Sequence, residues 1–174
     1  MELQQNHFEI FGLPVSYEVD RQALAARYRE LQQEFHPDRF AAKSDREQRL
    51  SMQYAAQINE ANNTLKDPVA RAAYLLQLAG VEISPEQTTA DGEFLMQQMI
   101  LRERLEEVRD AADPEAELGE LGDETSALFR EQQRVFADAL TANALDEAKS
   151  ALLKLQFLGK LQRQIETLEE DLLD

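Results

Sequence analysis

His36 and Asp38 are the residues whose types and spacing are best suited to chemistry, and Pro37 stands between them. An imidazole and a carboxylate this close together could act as a general acid–base pair or as a polar recognition site. An enzyme of this kind would also need a nucleophile, a glycine-rich phosphate loop or a desolvated pocket. None of these accompanies the tripeptide, so we predict that the chain is not an enzyme; by itself, the tripeptide is most simply an ordinary helix-ending turn.

Metal and cofactor chemistry has little support in the residue counts. The chain has no cysteine, which excludes thiolate-bound zinc, a cysteine-held iron–sulfur cluster and disulfides. Its two histidines, His7 and His36, are far apart in the sequence and form neither HxxxH nor HExxH. We therefore expect no metal site and no cofactor.

The charge is strongly acidic and unevenly distributed. The 174 residues have a formal net charge of −16, and 23 of the 34 acidic residues lie after residue 76. Such a surface repels phosphate backbones, so we expect no nucleic-acid partner. No apolar run reaches the about 18 residues that a membrane helix needs, and the N-terminal residues do not resemble a targeting sequence. We therefore expect no membrane association and a cytoplasmic location.

Two amphipathic segments flank the tripeptide. Upstream, steps of four, three and four place one apolar stripe on a helix, formed by Leu24, Tyr28, Leu31 and Phe35. Downstream, a helix from about Ser44 has the same pattern at Ala55, Ile58, Ala61 (or Asn62) and Leu65. Pro37 disfavours helical geometry at His36, so the first helix must end there. We expect an antiparallel helix hairpin whose corner displays the imidazole and the carboxylate.

The rest of the chain is also predicted to be helical, which makes the fold class all-α. Gly80 suits the end of a helix, and residues 77–92 indicate a connector. Three amphipathic segments follow, at about residues 93–111, 114–142 (with a break at 119–122) and 144–172. Long helices joined by short turns are typical of an antiparallel bundle. The predicted domains are therefore residues 1–76, the connector 77–92 and a three-helix bundle, 93–174.

The first bundle helix has two apolar faces. With 100° per residue and Leu95 at zero, a core stripe between about 220° and 280° contains Phe94, Leu101, Leu105 and Val108. A second patch on the opposite side is apolar and then acidic, with Leu95, Met96 and Met99 followed by Glu103, Glu106 and Glu107. Its residues are either peripheral core or a partner-binding face, and the angles alone favour neither.

The last bundle helix has one aromatic residue away from its main apolar stripe. That stripe contains Leu145, Ala148, Leu152 and Leu155. Phe157 lies about 160° around from it on a straight helix. Phe157 is therefore a candidate surface aromatic residue.

The first 76 residues resemble a J-domain, the co-chaperone module that stimulates the ATPase of DnaK-type chaperones. A lone His-Pro-Asp recurs in ordinary turns, but three further stretches lie in the expected order. They are Asn6–Pro14 for a short first helix, Ile58–Leu65 for the third helix and Asp67–Tyr74 for its exit. The resemblance implies a chaperone contact formed by His36, Pro37 and Asp38 together with Arg27, Arg29 and Arg39. J-domains usually have a basic second helix, whereas here Glu30 and Glu34 interrupt it, so which cations steer docking stays open.

Three later stretches resemble the HscB family, J-domain co-chaperones of iron–sulfur cluster assembly. They are Tyr74–Gly80, Phe94–Glu103 and Leu155–Leu161. The resemblance implies that the J-domain activates the chaperone HscA and that the bundle binds the cluster scaffold IscU, so that clusters pass to acceptor proteins. The scaffold-binding residues that it implies are Leu95, Met96, Met99, Glu103, Glu107 and Phe157. A J-protein for other clients, or a helical interaction module without a chaperone role, remains the alternative.

Overall fold

The computed structural model describes residues 3–174, which contain helices and no strand. The all-α prediction is thus confirmed. The chain divides into two compact units, the first ending at Leu78 and the second running from Ala79 to Asp174. The α-helices, numbered in chain order, are α1 (His7–Phe11), α2 (Arg21–Glu34), α3 (Asp45–Lys66), α4 (Pro68–Leu78), α5 (Gly92–Glu107), α6 (Pro114–Thr141) and α7 (Leu145–Leu173). Short 3-10 turns at Pro37–Phe40 and Val108–Asp110 follow α2 and α5.

The first unit is built on the expected hairpin of α2 and α3. Three contacts pair early α2 with late α3 and the end of α2 with the middle of α3, so the helices are antiparallel. The contacts are Arg21 with the Lys66 carbonyl, Tyr28 with Asn59 and Phe35 with Tyr54. The predicted stripes face inward, with Leu24, Leu31, Ile58, Ala61 and Leu65 buried. The short α1 completes this core with Phe8, Ile10 and Phe11.

Local chemistry explains where these helices begin and end. Asp20 caps α2 by accepting hydrogen bonds from the backbone N–H groups of its first turn. Pro68 starts α4 directly after Asp67, the C-cap residue of α3. Arg71 is buried at this corner, where its Nη1 donates to the Leu65 carbonyl at 2.6 Å and its guanidinium lies 4.9 Å from the Tyr17 ring centre. The end of α3 is thus capped by a side chain of α4.

The second unit is a bundle of α5, α6 and α7. The last two form a long hairpin around a tight turn, in which Asn143 adopts a left-handed conformation with φ of 55°. Helix α7 is the most buried of the three, with nine buried residues between Ala148 and Ile165. The segment before α5 is packed on α7 through Lys149, which donates to the Glu82 carbonyl at 3.1 Å, and through Lys154, which pairs with Asp91 at 2.8 Å.

One detail of the sequence analysis was wrong, because α6 runs without a break through Gly119 and Gly122. Leu118, Leu121 and Thr125 on its inner face are buried, and packing there outweighs the low helix propensity of glycine. Gly122 lies on the side of α6 that faces α7, where an added Cβ would be 3.6 Å from Ile165. Gly122 therefore lies at the contact with α7, Gly119 is exposed with open space beside it, and neither glycine breaks the helix.

Candidate partner-binding sites

The His-Pro-Asp corner presents two polar groups to solvent. Helix α2 ends at Glu34, and His36 caps the 3-10 turn by accepting a hydrogen bond at Nδ1 from the Asp38 backbone N–H, at 3.2 Å. A neutral imidazole that accepts through Nδ1 carries its proton on Nε2. The side chains of His36 and Asp38 are 57% and 93% exposed. The corner therefore offers an N–H donor and a carboxylate acceptor next to each other.

Contacts on both sides hold this corner in place. Before it, the Phe35 ring packs edge-on against Tyr54 of α3, with 5.1 Å between the ring centres. After it, Gln48 of α3 donates to the carbonyls of Ala41 and Lys43 at 3.0 and 3.1 Å. The polar groups are thus displayed on an ordered turn, which lowers the entropy that binding would cost.

The three arginines that the J-domain resemblance implies occupy different surroundings. An open groove beside the corner is lined by α2, α3 and the corner itself, and it contains Arg29 and Arg39 together with His36 and Pro37. Arg27 is not among its lining residues and pairs instead with Glu30 at 3.1 Å. The structure therefore brings Arg29 and Arg39 to the corner and leaves Arg27 outside that cluster.

The second face of α5 is exposed along its length. Leu95, Met96 and Met99 are 40%, 59% and 59% exposed, and Glu103 and Glu107 are exposed one and two turns further along. Ile100, which is 50% exposed, lies on the same face and was missed by the sequence analysis. Its spacing of four from Met96 was the signal that could have found it. We refer to Leu95, Met96, Met99 and Ile100 with Glu103 and Glu107 as the α5 face.

Phe157 differs from the expectation of a surface aromatic residue, because its side chain is only partly exposed. Its ring meets the buried Phe94 ring at 90°, with 5.9 Å between centres, and the Arg102 guanidinium lies 5.2 Å above it. Helix α7 packs against α5 as well as α6, and the contact with α5 covers part of the Phe157 ring although it lies far from the main stripe. The Phe157 ring therefore lies at the edge of the core, against Phe94 and Arg102 of α5.

Residues 3–174 contain no group of three or more His, Asp or Glu side chains arranged to hold a metal ion. In the same range, no helix is both long and apolar enough to cross a membrane.

Comparisons with known proteins extend over both units. Residues 6–74 match the DnaJ domain family, and residues 90–166 match the family described as the HSCB C-terminal oligomerisation domain. The co-chaperone protein HscB homologs of Photobacterium profundum and Aliivibrio fischeri are 46% and 47% identical to the chain, over 97% of it and 99% of each relative. The chain belongs to the HscB family.

Solved HscB structures have the same fold. The chaperone HscB from Vibrio cholerae matches with a TM-score of 0.89 at 42% identity, over 97% of this chain and 99% of the other. The human co-chaperone HscB matches with a TM-score of 0.88 at 30% identity, over 97% of this chain and 84% of the other. The sequence-based recognition of an HscB-type chain with a J-domain and an HscB C-terminal domain is therefore confirmed, and the chain is an HscB-family co-chaperone.

Proposed function

We propose that this HscB-family chain stimulates the ATPase of HscA, a specialised DnaK-type chaperone, and delivers the scaffold IscU to it. Delivery of the scaffold assists the transfer of iron–sulfur clusters to acceptor proteins. In this proposal the cluster is carried by IscU and ATP is hydrolysed on HscA, in the cytoplasm. The chain itself then needs no cofactor and turns over no substrate.

The observation that carries the chaperone half of the proposal is the ordered, exposed corner of His36, Pro37 and Asp38 in a DnaJ domain. Neither polar side chain of the corner packs in the core, so the exposure of both side chains favours contact with a partner. Arg29 and Arg39 add positive charge beside it. A chaperone surface with complementary carboxylates would be steered to this side of the unit.

The α5 face supports the client half of the proposal. Four large apolar side chains within two turns of α5 are exposed, and such a cluster is typical of a protein-binding surface. Methionines adapt to irregular partner surfaces, and the neighbouring Glu103 and Glu107 would attract basic residues. In this proposal Phe157, whose ring is partly exposed and lies against Arg102 of α5, also contacts the client.

Two variants test the two halves separately. We expect His36→Gln to abolish stimulation of HscA while IscU binds normally. The lost hydrogen bond leaves an N–H group that water can reach, so folding should change by less than about 1 kcal/mol. Glu18→Gln, an exposed change elsewhere in the same unit, is the matched control and should stimulate normally.

The second variant is Leu95→Ala with Met96→Ala, which should weaken IscU binding at least about tenfold because apolar anchors carry most interface energy. Its control is Met52→Ala, since Met52 of α3 is 63% exposed and lies outside the α5 face. ATPase assays measure the stimulation of HscA, and calorimetry measures the binding of IscU. Full stimulation by His36→Gln would overturn the chaperone half of the proposal, and normal IscU binding by the double variant would overturn the client half.

A further inference from the structure

A groove between α5 and α7 has an apolar floor and a basic rim. The floor is formed by Leu105, Phe157, Leu161 and Leu168, and the rim cations are Arg102, Lys160 and Arg163. Glu106, Gln164, Thr167 and Asp171 also line it. We call this surface the basic-rim groove.

The basic rim is unusual in so acidic a unit. Residues 79–174 have 23 acidic and 9 basic side chains, so carboxylates are abundant. Outside the groove, Arg104, Arg109, Arg134 and Lys154 pair with carboxylates, whereas Arg130 and Lys149 form no salt bridge within residues 3–174. Arg102, Lys160 and Arg163 form no salt bridge within residues 3–174, although all three are exposed. Their charges are therefore available to an acidic partner.

The two acids of the groove do not neutralise this rim. Asp171 pairs with Arg109 at 3.4 Å, and Glu106 forms no salt bridge within the same residues. Arg102 is held over the Phe157 ring, with 5.2 Å between the guanidinium carbon and the ring centre. Phe157 thus borders the groove at Arg102, and along α5 Arg102 is next to Glu103 and about one turn from Met99 of the α5 face.

We propose that the basic-rim groove binds an acidic segment of the client protein, whose carboxylates pair with Arg102, Lys160 and Arg163 while an apolar side chain packs against Phe157. This inference rests on the proposed function and deepens it. The client would then have basic residues opposite Glu103 and Glu107, acidic residues opposite the rim, and an apolar strip between them. Such a two-sign pattern fixes the orientation in which the client docks, because the reverse orientation places like charges together.

Reversing one charge of the rim separates this proposal from attraction by overall charge, because the two predict opposite changes in client affinity. The chain has a net charge of −16, so a client attracted by overall charge alone should bind more tightly when a cation is reversed. We expect the opposite for Arg163→Glu. Its affinity for purified IscU, measured by calorimetry with the full chain, should fall at least about fivefold at low salt, and the loss should shrink as salt screens the pairs.

Arg130→Glu is the matched control, because Arg130 of α6 is also exposed, forms no salt bridge within residues 3–174 and does not line the groove. Its affinity for IscU should stay within about twofold of the unchanged chain. Arg163 makes no side-chain hydrogen bond in that range, so thermal melting should show both variants folded.

Unchanged or tighter binding by Arg163→Glu would overturn the proposal. It would also be overturned if Arg163→Glu altered self-association in sedimentation but not IscU binding, because a second copy of the chain would then occupy the groove. The Leu95→Ala, Met96→Ala variant keeps the two claims distinct. Loss of IscU binding in that variant, together with normal binding by Arg163→Glu, would retain the proposed function and reject the groove.

Discussion

The two histidines of the chain occupy opposite environments. His36 is exposed at the corner, whereas His7 is half-buried and stacks on the Tyr74 ring, with 4.2 Å between ring centres and 13° between planes. The Nδ1 atom of His7 is buried and has no hydrogen-bond partner within residues 3–174. Burial lowers the pKa of His7 below its usual value, and the Glu60 carboxylate opposes this only in part.

His7 should therefore make the first unit less stable in acid. A pKa that is lower in the folded state means that the unfolded state binds more protons, so this contribution to stability is complete above the unfolded pKa and is lost as the pH falls through the folded one. We expect His7→Phe, which keeps a stacked ring but cannot titrate, to lose less stability than the unchanged chain between about pH 7 and about pH 5. Urea unfolding across this pH range measures the free energy of unfolding of both chains. Parallel pH profiles of this free energy for the variant and the unchanged chain would contradict the prediction.

Residue-level features were predictable where their causes are local. The corner at His36 follows from the backbone restrictions that Pro37 imposes on its neighbour, and these need no knowledge of the fold. The setting of His7 depends on Tyr74, whose hydroxyl also accepts a hydrogen bond from the His7 backbone N–H at 3.0 Å. No local pattern connects residues 67 positions apart, so this contact could not be predicted from the sequence.

Among the helices, the stripe of α5 was predictable and the surroundings of α7 were not. A helical wheel assigns one inner face, and for α5 it correctly separated Phe94, Leu101 and Val108 from the exposed side. Helix α7 has neighbours on two sides, so Phe157 is partly covered although it lies far from the main stripe. The break predicted in α6 is absent for a similar reason, because burial of the leucines beside the two glycines is a tertiary effect.

Truncation to alanine should cost more stability at the contact between α7 and α5 than on the exposed side of α5. Phe157 packs on the buried Phe94 but is only partly covered, so Phe157→Ala should destabilise the second unit by about 1–3 kcal/mol, less than the about 3–5 kcal/mol of a fully buried phenylalanine. Met99→Ala, at a residue 59% exposed, should change the free energy of unfolding by no more than about 0.5 kcal/mol. Denaturant unfolding measures both. Equal costs would show that the ring of Phe157 contributes nothing to packing.

At the scale of the whole molecule, two compact units divide the charge and the proposed sites between them. The first unit has the corner and is nearly neutral, and the second has the α5 face and most of the acidic residues. The helical content of both units was predictable because hydrophobic periodicity extends through the chain. Joining two sites in one chain raises the effective concentration of one partner near the other, to the millimolar range for short flexible links.

The most direct test of this account is to measure HscA ATPase activity with the chain intact and with the chain divided after Leu78. The intact chain with IscU should stimulate HscA more than the intact chain alone. The fragments 1–78 and 79–174 are first shown by circular dichroism to be folded. A mixture of both fragments with IscU, at low micromolar concentration, should stimulate HscA only as much as fragment 1–78 with IscU does. The reason is that IscU bound to fragment 79–174 is no longer tethered to the J-domain. A mixture as active as the intact chain at the same concentrations would contradict the account.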